Sequence, residues 1–466
     1  MTTAIIAFCV LSVLLVCGKA LRVHLPVLQK LYLPSSVVGG LLGLLVASLV
    51  VRYAPSGVAT ATHEVSDVVR QLPGFLINVI FATLFLGKSK KTRSENMAAT
   101  AFSQLCLAQL VAWGQYVVGL GLAGFWLAQS FNLPPAFGNL LEIGFEGGHG
   151  TVGGLQSLFV DKWADGLALG YTVATAGMIL GIVLGMFFIN IAYKRGYVKA
   201  VRPFNERSLH ERKGIYPRHS RPNAGHQTVY SDSVDSLAWH VAIIGLAILV
   251  GFGMLKGLQA AEAALFPAAK TRIFAGFPLF PLCMLGGVVL QSFARAIGLR
   301  LFIDRDQMQR IAGTALDFLS LAAVATIQIS VVAQNWQPLL ILIVAGAVWT
   351  AGSVFWFAPR LFRRAWFERA VTEFGQATGV TATGLLLLRT VDPENKTCAA
   401  TTFGYKQLFH EPVMNTWVAI AITLILANPA SWWGLWLFCT AVLALWLAAA
   451  AVLIHLNRKA ARNEKA

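Results

Sequence analysis

Two carboxylates and a histidine share one glycine-rich stretch, residues 142–155. They are Glu142, Glu146 and His149, with glycines at 144, 147, 148, 150, 153 and 154. Each interior glycine costs a helix about 1 kcal/mol against alanine, so this is a poor helix. It is too short to span a bilayer, yet it lies among long apolar runs. Irregular backbone at membrane depth persists only inside protein or beside a water-filled cavity. A loop that re-enters the membrane and lines a transport site meets both conditions. An acid there costs roughly 2.5 kcal/mol or more, which makes Glu146 a candidate for cation coordination or proton coupling. The plainer use is a carboxylate neutralised by a structural Lys or Arg, or one in the headgroup region. Glu142, one turn earlier, suits the interface. His149 suits a substrate hydrogen bond or a protonatable switch, or a structural bond to a neighbouring carbonyl. A metal role for it has no second ligand at matching spacing.

A second stretch of this kind, residues 366–390, carries Glu373, Gly375, Gln376, Thr378, Gly379, Thr381 and Thr383. Na⁺ takes hard oxygen ligands, which unwound carbonyls, hydroxyls and carboxylates supply, while helix N-termini suit an anion. Glycine lets a substrate approach the backbone. The threonines Thr151, Thr378, Thr381 and Thr383 either add ligand oxygens or bond their own helix. Arg389 matches a carboxylate bidentately, or it marks a helix end and pairs with Asp392. Further on, Lys406 and His410, and Glu411 and Asn415, stand four residues apart on a helix broken into by Pro412. They read as a charged relay or site wall, or as a self-neutralised cluster.

The elements that must hold these residues are membrane helices. The chain of 466 residues is 56% hydrophobic and 12% charged, with mean hydropathy +0.65, whereas soluble domains carry about 25% charged residues. Spans are predicted at about 4–22, 36–53, 72–87, 97–127, 167–193, 237–257, 272–294, 311–333, 338–358, 398–427 and 431–455. Stretches 136–160 and 366–390 remain as interrupted segments. The six cysteines (Cys9, Cys17, Cys106, Cys283, Cys398 and Cys439) lie in apolar runs without a CxxC pair and read as small hydrophobes. The net charge of +16 does not indicate nucleic acid, because the basic residues cluster in short loops between spans. His210, His219 and His226 lie in a basic linker without apolar period, spaced too irregularly for a metal tract.

Charge placement sets the orientation. Basic groups follow spans one (Lys19, Arg22, Lys30), three (Lys88, Lys90, Lys91, Arg93), seven (Arg295, Arg300, Arg305, Arg310) and nine (Arg360, Arg363, Arg364, Arg369). Others lie in the linker and at the C-terminus (Arg458, Lys459, Arg462, Lys465). All fall on one side if the N-terminus is outside, the C-terminus is cytoplasmic and both interrupted segments are re-entrant. The sequence also repeats. Pro34 with Gly39 and Gly40 returns as Pro281 with Gly286 and Gly287. Ala82 and Thr83 return as Ala325 and Thr326. Glu146, Gly148, His149 and Thr151 return as Glu373, Gly375, Gln376 and Thr378. On this topology the halves run in opposite senses. The expected fold is therefore an all-α polytopic membrane protein of two inverted repeats, each with five spans and one re-entrant loop, plus an extra C-terminal helix. The repeats would cover 1–193 and 237–427, flanking a linker at 194–236, with the extra helix and basic tail at 428–466. Inverted repeats with a broken element in each half point to a secondary transporter whose site lies at the repeat interface.

The residues from Leu33 and Pro34 through Gly39, Gly40 and Leu41, those from Gly147 to Thr151, and those from Gly375 to Thr383 resemble the sodium/glutamate symporter family. The resemblance runs from about residue 25 to 427. It implies Na⁺-coupled uptake of glutamate across a bacterial inner membrane by homodimers in an elevator-like motion, with transported Na⁺ and no other cofactor. Carried over by position, Gly147, Gly148, His149, Gly150 and Thr151 of the first loop and Gly375, Thr378, Gly379, Thr381 and Thr383 of the second form the site. This chain departs from the family's pattern at Glu146, in its less glycine-rich second loop, and in the charges around Lys406, His410 and Glu411. With Glu146, Glu373, Gln376, Arg389, Glu411 and Asn415 added, these are the predicted substrate- and ion-binding residues. Within the class, the alternatives are H⁺ coupling through Glu146 and Glu373, and a di- or tricarboxylate or hydroxy-acid carrier. An ion channel would need a continuous pore ring. An intramembrane enzyme would need a nucleophile or metal set that no motif supplies.

Overall fold

The computed structural model describes residues 2–30, 33–87, 97–198, 208–267, 274, 277–392 and 396–463. Its long helices are, in chain order, α1 (Thr2–His24), α2 (Ser35–Tyr53), α3 (Ser56–Thr83), α4 (Met97–Leu122), α5 (Ala164–Lys194), α6 (Ser236–Leu265), α7 (Phe280–Ala296), α8 (Arg305–Ala325), α9 (Trp336–Leu361), α10 (Trp366–Val391), α11 (Ala399–Ala427) and α12 (Trp432–Asn463). No strand occurs among the described residues. Nine helices among them are long and apolar enough to cross a membrane. α7 is apolar but shorter, and α8, which carries Arg305, Asp306, Arg310 and Asp317, is not among the nine.

Several boundaries differ from the sequence expectation. The span placed at 72–87 is α3, which starts at Ser56 and runs through Pro73. Its first turns alternate polar and apolar faces and so lower the local hydropathy that marked the span. The span placed at 311–333 is α8, which ends at Ala325, and a separate short helix follows at Ile329–Gln334. The span placed at 97–127 continues through a π-turn at Ala123–Leu127 to Phe131. Lys88, Lys90, Lys91, Arg93 and Lys465, used above for orientation, lie outside the described residues, as does part of the expected span at 272–294.

The chain forms two compact units, each drawn from both halves of the sequence. One comprises Met1–Lys91, His149–Leu167 and Ser208–Ile327. In it α2 packs against α1 and α8, and α7 packs against α6 and α3. Glycine makes these approaches possible. A Cβ on Gly39 of α2 would meet the Leu14 carbonyl oxygen of α1 at 2.5 Å, and one on Gly40 would meet Val324 Cβ of α8 at 2.7 Å. On α7, Gly286 lies against the Ala247 carbonyl of α6, and Gly287 against the Ala82 carbonyl of α3. In lipid, where apolar burial between helices gains little, such close van der Waals packing holds helices together. Helices α3 and α8 end alike. Thr83 Oγ1 donates to Ile80 O (2.6 Å) and Thr326 Oγ1 to Ala322 O (2.8 Å). Arg305 also donates to the Thr83 and Leu86 carbonyls at 2.7 and 2.9 Å, capping the C-terminal end of α3.

The other unit comprises Thr92–Gly148, Ala168–Arg207 and Gln328–Ala466. Helix α4 is its spine and packs against α9, α11 and α12 and against the short helices Pro135–Asn139 and Leu140–Phe145. Trp349 of α9 and Trp436 of α12 donate their indole N–H to the Val111 and Val117 carbonyls of α4 at 3.0 and 3.1 Å.

Leucine at position 39 or 286 has no room, and overpacking of this kind costs about 1–3 kcal/mol. Gly39→Leu and Gly286→Leu should each lower the thermal unfolding midpoint of the detergent-purified protein. Gly245→Leu, at a site with nothing within 4 Å, should leave it unchanged. Equal midpoints for all three would contradict the packing.

Candidate functional site

Both glycine-bearing stretches are broken helices. In the first, Leu140–Phe145 ends at Glu146, and Gly148 takes φ +67°. In the second, α10 is interrupted at Gly379 (φ −146°, ψ 38°) and Val380 (φ 61°, ψ 172°). Positive φ is costly for a β-branched residue, of order 1–3 kcal/mol. Val380 sets its side chain against Gly148, where a Cβ would collide with it. The break leaves carbonyls without their helical partners, and Gln115 Nε2 of α4 donates to that of Ala377 at 2.7 Å.

Beside these breaks lies a buried polar network built on α4, α10 and α11. Its polarity follows from side chains that can only donate. The Trp113 indole donates to Gln109 Oε1 at 2.6 Å. Gln109 therefore presents its amide nitrogen to His410 Nδ1, 3.1 Å away, which must accept. The His410 proton is then on Nε2, which donates to Glu146 Oε1. The Gln109 amide thus holds the ring from behind. The Lys406 ammonium donates to Gln376 Oε1 (3.0 Å) and Gln407 Oε1 (3.2 Å) and lies 2.8 Å from Glu373 Oε1. Both glutamines must then point their nitrogens outward. Gln376 donates to Glu146 Oε1 (3.1 Å), and Gln407 donates to Thr381 Oγ1 and Glu411 Oε1 (both 2.9 Å). The third donor, Arg369, bonds Gln104 Oε1 (2.9 Å), the Thr100 carbonyl (2.7 Å) and Ser103 Oγ (3.0 Å). Gln104 in turn donates to Glu373 Oε2 at 2.7 Å.

Every chain of bonds ends on a carboxylate acting as acceptor. Glu373 accepts from Gln104 and lies against the Lys406 ammonium as an ion pair. Glu411 receives Gln407, Thr381 (3.2 Å) and Asn415 Nδ2 (2.8 Å). Glu146 receives His410 and Gln376 on one oxygen. Its other oxygen, Oε2, is buried and has no partner among the described residues. The Glu146 side chain is 7% exposed. Among the described residues, neither Glu146 nor Glu411 makes an ion pair with Lys or Arg. A carboxylate buried this far is costly unless its charge is compensated, which a cation, a protonated His410 or a bound proton would do.

The network brings together the predicted Glu146, Glu373, Gln376, Thr381, Glu411 and Asn415. Gly147 and Gly148 form the first break and Gly379 the second. Gly375 packs against the backbone of Gly384. Thr378 bonds its own helix through the Phe374 carbonyl (2.7 Å), the plainer of its two readings, and Thr383 is buried. Arg389 is exposed and outside the network. Asp392 accepts instead from Lys396 and Thr397. Glu142 is fully buried rather than interfacial and accepts from the Tyr116 hydroxyl at 2.8 Å. His149, Gly150 and Thr151 are buried in the other compact unit. The residues missed in the sequence are Gln104, Gln109, Gln115 and Tyr116 of α4, together with Gln407; Arg369 was seen only as a loop charge. The glutamines were visible as polar residues inside a predicted span, which marks function or helix contact.

Removing the Gln115 amide leaves the Ala377 carbonyl unpaired, at a cost of about 1–3 kcal/mol, so Gln115→Leu should lower the unfolding midpoint. Val380→Gly relieves the positive φ and should raise it. A fall with Val380→Gly would contradict the strain.

A family model described as sodium/glutamate symporter matches residues 1–363. No curated protein matches the chain. The match spans well over half of the sequence, and the chain belongs to that family. It is a multi-pass membrane transporter rather than an enzyme. The matched residues include Glu146 and α4 but stop short of α10 and α11, so Glu373, Lys406, His410 and Glu411 lie beyond them.

Proposed function

We propose that this member of the sodium/glutamate symporter family couples inward movement of Na⁺ to uptake of glutamate or a similar small organic anion, by alternating access. The observation that carries the reading is an asymmetry between two carboxylates that repeat each other in the sequence. Glu373 faces the Lys406 ammonium at 2.8 Å. Glu146 faces the His410 ring and the Gln376 amide through one oxygen, and its other oxygen is buried with neither a hydrogen bond nor a lysine beside it among the described residues. A transported cation would complete Glu146, with carbonyls and hydroxyls freed at the helix breaks as further hard ligands. The anion would then meet a neutralised site and the N–H groups of broken helix ends.

The equivalent roles of α2 and α7, each packed through a glycine pair against two helices, support inverted repeats with re-entrant segments near 136–160 and 366–390. The repeats would divide as 1–193 and 237–427, joined by the linker 194–236 and followed by 428–466. On this reading the protein lies in a bacterial inner membrane as a homodimer, with its N-terminus outside and C-terminus cytoplasmic. A membrane potential adds about 2.3 kcal/mol per charge per 100 mV if more cation charge than anion charge moves. Proton coupling is the second reading, favoured by the His410 imidazole held against Glu146.

The test is uptake of labelled glutamate into proteoliposomes under an imposed Na⁺ or H⁺ gradient, with competing organic anions. Na⁺-driven uptake that falls at least tenfold in Glu146→Gln is the expected result. Uptake driven by H⁺ and indifferent to Na⁺ would replace the coupling ion. Stronger competition by di- or tricarboxylates would move the substrate to that class. Unaltered uptake in Glu146→Gln would remove this carboxylate from the mechanism.

A further inference from the structure

Lys406 is more than one partner of an ion pair. Its side chain is 0% exposed, and that of Glu373 is 1% exposed. The ammonium has three hydrogens and three oxygen neighbours: Glu373 Oε1 at 2.8 Å, Gln376 Oε1 at 3.0 Å and Gln407 Oε1 at 3.2 Å. The Phe403 ring lies 5.1 Å from Nζ, a cation–π approach from another direction. One carboxylate, two amide oxygens and an aromatic face form a buried cage for a monovalent cation. The distances of 2.8–3.2 Å exceed the roughly 2.0–2.6 Å that Mg²⁺ and Ca²⁺ require.

We propose that Lys406 is a tethered cation: its ammonium permanently fills a monovalent-cation site between α10 and α11, a site that a free cation of ammonium size will occupy once the side chain is removed. The cage does more than neutralise Glu373. Because Lys406 can only donate, it turns the Gln376 and Gln407 amides so that their nitrogens face Glu146 and Glu411. A fixed charge at one of two repeated carboxylates thus sets the polarity of the groups around the other. A free ion could also orient the glutamines, but it would leave and return. The tether keeps the site full whatever the surrounding salt.

This rests on side-chain geometry alone, and its readout is binding, so its failure and a failure of the symport reading are separable. The experiment measures the unfolding midpoint of full-length, detergent-purified protein in choline, Na⁺, K⁺, ammonium and methylammonium chlorides. In choline, Lys406→Ala should unfold well below wild type. K⁺, ammonium or methylammonium should raise its midpoint saturably by several degrees more than they raise wild type. The neutral double variant Lys406→Met with Glu373→Gln should fold and show no such extra response. If Lys406→Ala folds only when prepared with methylammonium or K⁺, the proposal also stands. It is overturned if no cation restores Lys406→Ala while the double variant folds, or if the double variant responds equally.

Discussion

Three side chains that can donate hydrogen bonds but never accept them organise the interior of the compact unit that holds α4, α10 and α11. Trp113, Lys406 and Arg369 each face the oxygen of a glutamine amide. A glutamine held by its oxygen has only its nitrogen left to offer. Gln109, Gln376, Gln407 and Gln104 thus become one-way relays, and Glu146, Glu373 and Glu411 are where they end. In a low-dielectric interior an unpaired polar group is costly, so a network of this kind is either fully satisfied or conspicuous at the exception. Among the described residues the exceptions here are Glu146 Oε2, Gln115 Oε1 and Glu373 Oε1, and of these Glu373 Oε1 still faces the Lys406 ammonium at 2.8 Å. Flipping any of the four glutamine amides would set N–H against N–H and leave an acceptor facing an oxygen.

The other constraint is backbone proximity. α2 approaches α1 and α8 through Gly39 and Gly40, and α7 approaches α6 and α3 through Gly286 and Gly287. This pattern was legible as the repeated Pro and Gly-Gly spacing, because contact between helix backbones demands glycine and little else. The break in residues 142–155 was legible for a similar reason: its glycine content opposes a helix. The break in α10 was placed within a Gly-bearing stretch, but Val380, the strained residue, carried no warning. β-Branched residues ordinarily avoid positive φ, and the Val380 side chain lies against Gly148.

Less of the polar network could be read in advance. Helical spacing grouped Lys406, His410, Glu411 and Asn415, and the repeat paired Glu146 with Glu373. Which acid receives the lysine depends on side-chain reach across helices, which spacing along one helix does not encode. The glutamines of α4 lie some 260 residues or more before their partners on α10 and α11 and have no sequence pattern that names those partners. Arg369 looked like one of a run of cytoplasmic loop charges, and it proves to be buried with Gln104 and stacked on Phe362. Spans were misplaced where polarity and structure diverge, as in α3, where polar turns precede Pro73, and α8, whose charges lie along a packed helix.

On the proposed reading, Glu146 is completed by the transported cation, while Glu373 is already paired with Lys406. Equilibrium binding of ²²Na⁺ to the detergent-purified protein tests it most directly, free of any transport step. Wild type should bind Na⁺ saturably, Glu146→Gln should lose a bound ion, and Glu373→Gln should not. Undiminished binding by Glu146→Gln would exclude Glu146 as a ligand of the ion.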